Sequence, residues 1–401
     1  MHQASAASVP FEPYTREFAA DPYTAYAELR QRSPVFHSDD LGMTFLTRYK
    51  DIFRALTDKR LGRAEPMPGS MHTTELPNYD RYVRVNLLET EGETHARLRR
   101  LLGVALSPKR VADLKVRVQR IASELVERLA PGAEIDFIRE IAEPLPVIVI
   151  SELLGWPPEE SHRLRPWSAD IVRLYEKDAS PDDARRAEAA CTEFAVMLDV
   201  LASERKAAPQ NDLIGALAAL EDQPGGLTRD ELISSCMLLL NAGHEATVNA
   251  AGNGLLALLR HPQEMEKLRK DPLLMETAVE EMLRYDAPLH LFHRFAYEDI
   301  EIAGEVIPAG GKAGLLYGSA NRDPDVFAEP DRFDISRSPN RHLAFGAATH
   351  FCLGAPLARL ELRTLVTNLL AKTSRIELCG DEPEYHTGLV FRGLKRLTIS
   401  T

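Results

Sequence analysis

Between Thr228 and Arg260 the sequence carries a helix that constrains everything packed around it. Thr228-Arg229-Asp230-Glu231 has the form of a capping box, in which the threonine and glutamate side chains satisfy each other's free backbone donors. The stretch that follows, ELISSCMLLLNAGHEATVNAAGNGLLALLR, sets apolar or small residues on nearly every face, and His261-Pro262 ends it. About 33 residues at 1.5 Å each span roughly 50 Å, long enough to cross a whole protein.

Halfway along this helix, Asn241-Ala242-Gly243-His244-Glu245-Ala246-Thr247 places small residues beside a carboxylate inside an apolar span. Small side chains open space for a ligand against the backbone, and a carboxylate in such a place can relay protons. The second informative stretch is Phe345-Gly346-Ala347-Ala348-Thr349-His350-Phe351-Cys352-Leu353-Gly354. It puts one thiol in a loop of small residues just before Ala355-Pro356, which opens a segment with apolar residues at helical spacing. Cys352 is therefore expected near a helix N-terminus, where partial positive charge favours thiolate over thiol.

The loop closely resembles the haem-ligand signature of the cytochrome P450 family, Phe-Gly-x-Gly-x-His-x-Cys-x-Gly, with Ala348 at the one departure, where the family has glycine. The resemblance implies a mainly α-helical triangular prism with a smaller β region, one unit over residues 1–401, and haem b between the long helix and the helix after Cys352. It names Cys352 as the iron ligand, whose thiolate favours O–O cleavage in bound dioxygen. The function implied is a bacterial-type monooxygenase that hydroxylates or epoxidises a medium-sized organic substrate. Oxidative coupling or desaturation by the same oxidant, and a non-catalytic haem-thiolate sensor, are the other readings; Glu245 argues against the sensor, which needs no proton relay.

The long helix is similar to the family's oxygen-binding helix, with pattern Ala/Gly-Gly-x-Asp/Glu-Thr. Alignment through Ala242, Gly243 and Glu245 puts Ala246 where the family has its threonine, and Thr247 one position later, about 100° further round an ideal helix. Proton delivery then falls to a substrate hydroxyl or ordered water, to Thr247 (given a local distortion of the helix) or His244, or the chemistry tolerates altered delivery.

Other residues take their roles from the same resemblance. Glu281 and Arg284, at i,i+3 on one helix face, match the pair that braces the core beneath the haem. Asn321-Arg322-Asp323-Pro324 and Pro330-Asp331-Arg332-Phe333 look like the irregular meander whose arginine joins that brace. His95, Arg99, Arg294 and His350 match the set that binds the haem propionates, which would otherwise be costly unpaired charges.

The span from Gly62 to Gly92 has little periodicity and reads as a long loop, by resemblance the pocket roof, with Met67, Met71, Leu76, Tyr79, Tyr82, Val85 and Leu87 as contacts. Further pocket walls are Leu238, Leu239, Asn241 and Ala242 on the long helix, Leu289, His290, Leu291, Phe292 and His293, and Leu389, Val390 and Phe391. Asn241, His290 and His293 are its polar points, a mix that suits a partly polar aromatic or polyketide-like molecule.

Composition sets the boundaries. A net charge of −12 argues against nucleic acid as a partner. The longest apolar stretches fall far short of the roughly 20 residues that span a bilayer, and the N-terminus lacks the form of a secretory signal. Four widely spaced cysteines fit a reducing compartment. A cytoplasmic, monomeric protein is expected. With no second cofactor domain, electrons are expected from a ferredoxin and a ferredoxin reductase. By resemblance Lys109, Arg110, Lys115, Arg117, Arg120, Arg359 and Arg363 belong to the face where the ferredoxin docks; as residues alone they are an ordinary solvated face.

Overall fold

Two short strands near the N-terminus, Val35–Ser38 and Met43–Leu46, pair antiparallel and seed a sheet. The second runs parallel to Lys312–Leu316, which pairs antiparallel with Leu291–Ala296, and Leu61–Gly62 closes the far edge. In the computed structural model the described residues are 11–66, 76–105 and 108–401, without the side chains of 104–111. They form two compact units. Of the described residues, one comprises 11–62, 253–351 and 381–396; the other comprises 63–66, 76–105, 108–252, 352–380 and 397–401.

The first unit holds the five-stranded sheet. One aromatic-rich cluster joins Phe18, Tyr26, Leu29, Phe45, Leu291, Leu316 and Leu389, and a second, aliphatic cluster is built on Ile52, Leu61, Ile300 and Leu315. Its helix Met275–Tyr285 carries the expected brace, with both Glu281 and Arg284 fully buried. Arg284 donates to both Glu281 oxygens at 2.7 and 2.8 Å, and to the carbonyls of Asn321, Pro330 and Arg332. The arginine that joins the brace is Arg337, whose Nε lies 3.2 and 3.1 Å from the Glu281 oxygens. Arg332 gives the brace only its backbone carbonyl, and Arg322 is directed instead to Tyr285 O and Asp331.

The second unit is almost entirely helical. Its principal helix runs unbroken over Arg229–Arg260, into the first unit's Asn253. The capping box is formed: Glu231 accepts from Thr228 N at 2.9 Å, and Thr228 Oγ1 accepts from Glu231 N at 3.2 Å. Helices Pro108–Glu127 and Ala355–Lys372 pack together, as do Leu164–Arg173 and Pro181–Ala207. A small sheet orders Glu134–Asp136, Thr398–Ser400 and Glu377–Leu378.

The span from Gly62 to Gly92 is not the long structureless loop expected. It contains the helix Pro77–Tyr82 and a 3₁₀ turn Leu87–Glu89. Pro77 presets the first turn, and the turn's free donors are met from outside: Glu188 of Pro181–Ala207 accepts from Asn78 N, Asn78 Nδ2 and Tyr79 N, all within 3.2 Å. Met67 and Met71 lie outside the described residues. No helix among the described residues is long and apolar enough to cross a membrane.

Candidate active site

The thiol loop needs left-handed backbone at two places, and glycine fills only one. Gly346 has φ 65° and Ala348 has φ 56°. The family's glycine at the second position is thus explained by conformation, and the alanine here holds a strained geometry rather than a steric clash. After the 3₁₀ turn Ala348–His350, half-buried Cys352 stands three residues before the helix Ala355–Lys372.

Burial pushes the Cys352 thiol up, against the N–H groups of Gly354 and Ala355 and the guanidinium groups of Arg99 and Arg359, which pull it down without offsetting burial. The helix N-terminus therefore does not by itself make a thiolate, contrary to the simple expectation. A metal cation is the missing counter-charge that this donor set would suit.

Of the residues expected around the sulfur, the second unit holds Arg99, whose charge acts on Cys352, and His95 on the same helix. His95 and Arg99 lie on Gly92–Ala105. His95 is buried, with Nδ1 3.0 Å from Leu87 O, which orients the ring. Guanidinium groups acting on a thiol at a helix start fit an anionic macrocycle bound through sulfur. In the first unit, Arg294 is buried in the strand Leu291–Ala296, its guanidinium 5.6 Å from the Phe292 ring centre, while half-buried His350 ends the 3₁₀ turn.

Midway along the long helix the burial pattern breaks. Ala242 is exposed, and Leu239, Glu245 and Ala246 are half-buried, between stretches that are otherwise buried. Burial raises the Glu245 carboxyl above its ordinary value, reinforced by Glu143 and opposed by Arg165 and by the hydrogen bond with Asn249. It is thus poised to hold or release a proton nearer neutrality. Thr247 is buried, and because the helix is continuous through this segment Thr247 keeps its angular distance from position 246. His244 is buried and pushed down to about 4 by desolvation and by Arg165, so its ring is neutral at physiological pH.

Of the pocket walls expected in the second unit, Tyr79 and Tyr82 are buried on the helix Pro77–Tyr82 and Val85 is exposed beyond it. Leu238 and Asn241 are buried on the long helix, whose Ser234 Oγ donates to Tyr82 O at 2.6 Å. In the first unit, backbone pairing brings Leu289 opposite Phe391, and His290 N donates to Val390 O at 2.8 Å. Phe292 stacks on Tyr317.

His290 and Leu291, expected as cavity walls, have other surroundings. Leu291 belongs to the aromatic core. His290 lies 3.1 Å from Tyr26 Oη through Nδ1 and 3.4 Å from Tyr23 Oη through Nε2. A Cβ at Gly318 would sit 2.8 Å from that ring, so the glycine permits the approach. Tyr23, Tyr385 and Arg392 all donate to Asp286, at 2.5, 2.8 and 2.6 Å. This cluster gave no sequence signal, because its members are as far apart as Tyr23 and Arg392.

A thiol loop and a long helix carrying a half-buried acid among small residues define the site of a haem-thiolate oxygenase. The family model for cytochrome P450 matches residues 177–384. The polyketide biosynthesis cytochrome P450 PksS of Bacillus subtilis is 35% identical, covering 97% of this chain and 98% of its own. The monooxygenase PikC of Streptomyces venezuelae is 37% identical, covering 96% and 92%. Among solved structures, P450BioI in complex with an acyl carrier protein aligns with TM-score 0.91 at 33% identity over 96% of this chain and all of that one. The chain belongs to the cytochrome P450 family. It has that fold, it is a P450 monooxygenase, and its cofactor is haem b.

Proposed function

We propose that this enzyme inserts one oxygen atom into a medium-sized, partly polar natural product, with Cys352 as the iron ligand and His95, Arg99, Arg294 and His350 as partners of the propionates. The bound haem supplies the activation of dioxygen. The chain's own residues hold the cofactor, exclude water and move protons. The observation that carries this reading is the presence together of Cys352, at a helix start beside Arg99 and Arg359, and of Glu245 on a long helix whose middle is exposed at Ala242 and half-buried at Gly243, Glu245 and Ala246.

Glu245 is the proton-handling group in this reading. Ala246 offers no hydroxyl, and Thr247 on a continuous helix is turned about 100° from it; neutral His244 is no ready proton carrier. A substrate hydroxyl or an ordered water is the route these facts favour. The relatives support the substrate class: PksS is named for polyketide biosynthesis, and another relative, 34% identical, is named 6-deoxyerythronolide B hydroxylase.

Electrons come from a ferredoxin and its reductase, docking on the face that carries Arg359 and Arg363. Lys115 and Arg117 are exposed on Pro108–Glu127 and suit an acidic partner, whereas Arg120 is already paired with Glu124 and Glu152. The side chains of Lys109 and Arg110 lie outside the described residues. The two units act together as one catalytic domain, in a monomer.

The test is the absorption spectrum of the purified ferric protein, titrated with macrolide, terpenoid, aromatic and fatty-acid compounds. A thiolate-type spectrum that shifts from low to high spin with oxygenated polyketide-like compounds is expected. Loss of that spectrum in the wild type would overturn the assignment of Cys352, and a shift confined to fatty acids would overturn the substrate class.

A further inference from the structure

Asn241 presents a buried acceptor with nothing to accept from. The residue is 2% exposed, and its Oδ1 has no hydrogen-bond partner among the described residues. Buried polar atoms in folded proteins are nearly always paired, and an unpaired one costs its full desolvation. On the same helix both ring nitrogens of His244 and Oδ1 of Asn253 are likewise without partners among the described residues, and of these four atoms Asn241 Oδ1 is an acceptor next to the exposed Ala242, where a bound molecule can complete the structure.

The helix phase says which face this is. Ser234 and Asn241 are seven residues apart, about 20° short of two full turns, so they share a face. Ser234 meets Tyr82 O at the end of the helix Pro77–Tyr82. Gly243 lies against Ile150, where a Cβ would stand 3.2 Å from the isoleucine Cδ1. Asn241 is about 200° round from Gly243 and so turned away from that contact. Asn241 therefore lies on the side that carries Tyr82, one position before the exposed Ala242.

We infer that Asn241 is a specificity-determining residue that accepts a hydrogen bond from a hydroxyl of the substrate, so that the substrate class is an alcohol rather than a hydrocarbon chain or its ether. This rests on the haem-thiolate reading of the site. A site built to pair a hydroxyl rejects the analogue that lacks it, because its own polar group is then left buried and unpaired.

The experiment compares the haem-loaded wild type with Asn241→Leu in two measurements. Thermal unfolding without ligand comes first: removing an unpaired buried acceptor is expected to leave the Tm unchanged or raised. Spin-state titrations follow, using matched pairs, each a macrolactone or steroid alcohol and its O-methyl ether. The wild type is expected to bind the alcohol about tenfold more tightly than the ether, and the leucine variant to bind the two alike. A lowered Tm would mean that Asn241 is paired by protein or buried water and would overturn the inference. So would a preference that survives in the variant, or a wild type that no alcohol shifts. The thiolate-type carbon monoxide spectrum, recorded first for both proteins, separates these outcomes from failure of the Cys352 assignment, which would abolish that spectrum in the wild type.

Discussion

Arg284 donates two hydrogen bonds to Glu281, at 2.7 and 2.8 Å, with both side chains completely removed from water. Three further donors converge on the same carboxylate, from Asp334 N, Arg337 and Asn340. A buried carboxylate with this many partners is satisfied, and the satisfaction is what makes each partner hard to remove.

Glu281→Ala is accordingly expected to destabilise the protein by about 3–5 kcal/mol, because it leaves the Arg284 and Arg337 guanidinium groups buried without their counter-charge. Chemical unfolding of the haem-loaded protein measures this. A loss below about 1 kcal/mol would show that the brace is incidental.

What could be read in advance and what could not divides along sequence separation. The capping box Thr228–Glu231 and the i,i+3 pair Glu281–Arg284 are local, so residue type and spacing contain the interaction. Arg337 meets Glu281 across 56 residues, and Glu188 caps the helix Pro77–Tyr82 across 110 and 109. No periodicity in either segment announces such pairings, so the sequence points to the arginines of residues 321–324 and 330–333 for the brace and reads a loop where a helix stands. His290 likewise looked like a polar point in a cavity until Tyr23 and Tyr26, more than 260 residues away, closed around it. At the thiol loop the departure at Ala348 was visible, but its meaning required the dihedral angle.

Ala348→Gly should relieve the left-handed strain at that position. Holding alanine at positive φ costs about 1–2 kcal/mol, and the freedom that glycine restores to the unfolded chain takes back about 0.4–1 kcal/mol. A net gain of roughly 0.5–1 kcal/mol is expected, with the thiolate spectrum unchanged. If thermal unfolding shows the glycine variant clearly less stable, the strain at φ 56° is not the governing effect.

Proton handling is tested by a pair of changes on the long helix. Glu245→Ala is expected to lower product formation at least tenfold with haem content unchanged, in line with the loss of a general acid or base. Unchanged turnover would sink the role given to this carboxylate. Ala246→Thr separates two accounts of the missing hydroxyl. Less hydrogen peroxide released per electron pair consumed would mean the gap is merely unfilled, whereas lower product yield would mean that substrate or water already occupies it.

Glu361, on the helix that follows Cys352, is buried and desolvation pushes its carboxyl up to about 8. The unfolded chain gives up this proton near the ordinary value of 4.5, while the folded protein keeps it until about 8. Between those two pH values the folded state therefore binds one proton more than the unfolded state, so this group makes stability fall as pH rises, by up to about 1.4 kcal/mol per pH unit. Below 4.5 both states hold the proton and the contribution is constant; above about 8 both have lost it and the full penalty is present. Glutamine keeps the shape and cannot ionise, so Glu361→Gln should match the wild type in stability near pH 5 and exceed it increasingly toward pH 8. Chemical unfolding of both proteins across that range checks the divergence, and parallel stability curves would show that Glu361 ionises in the folded state as readily as in water.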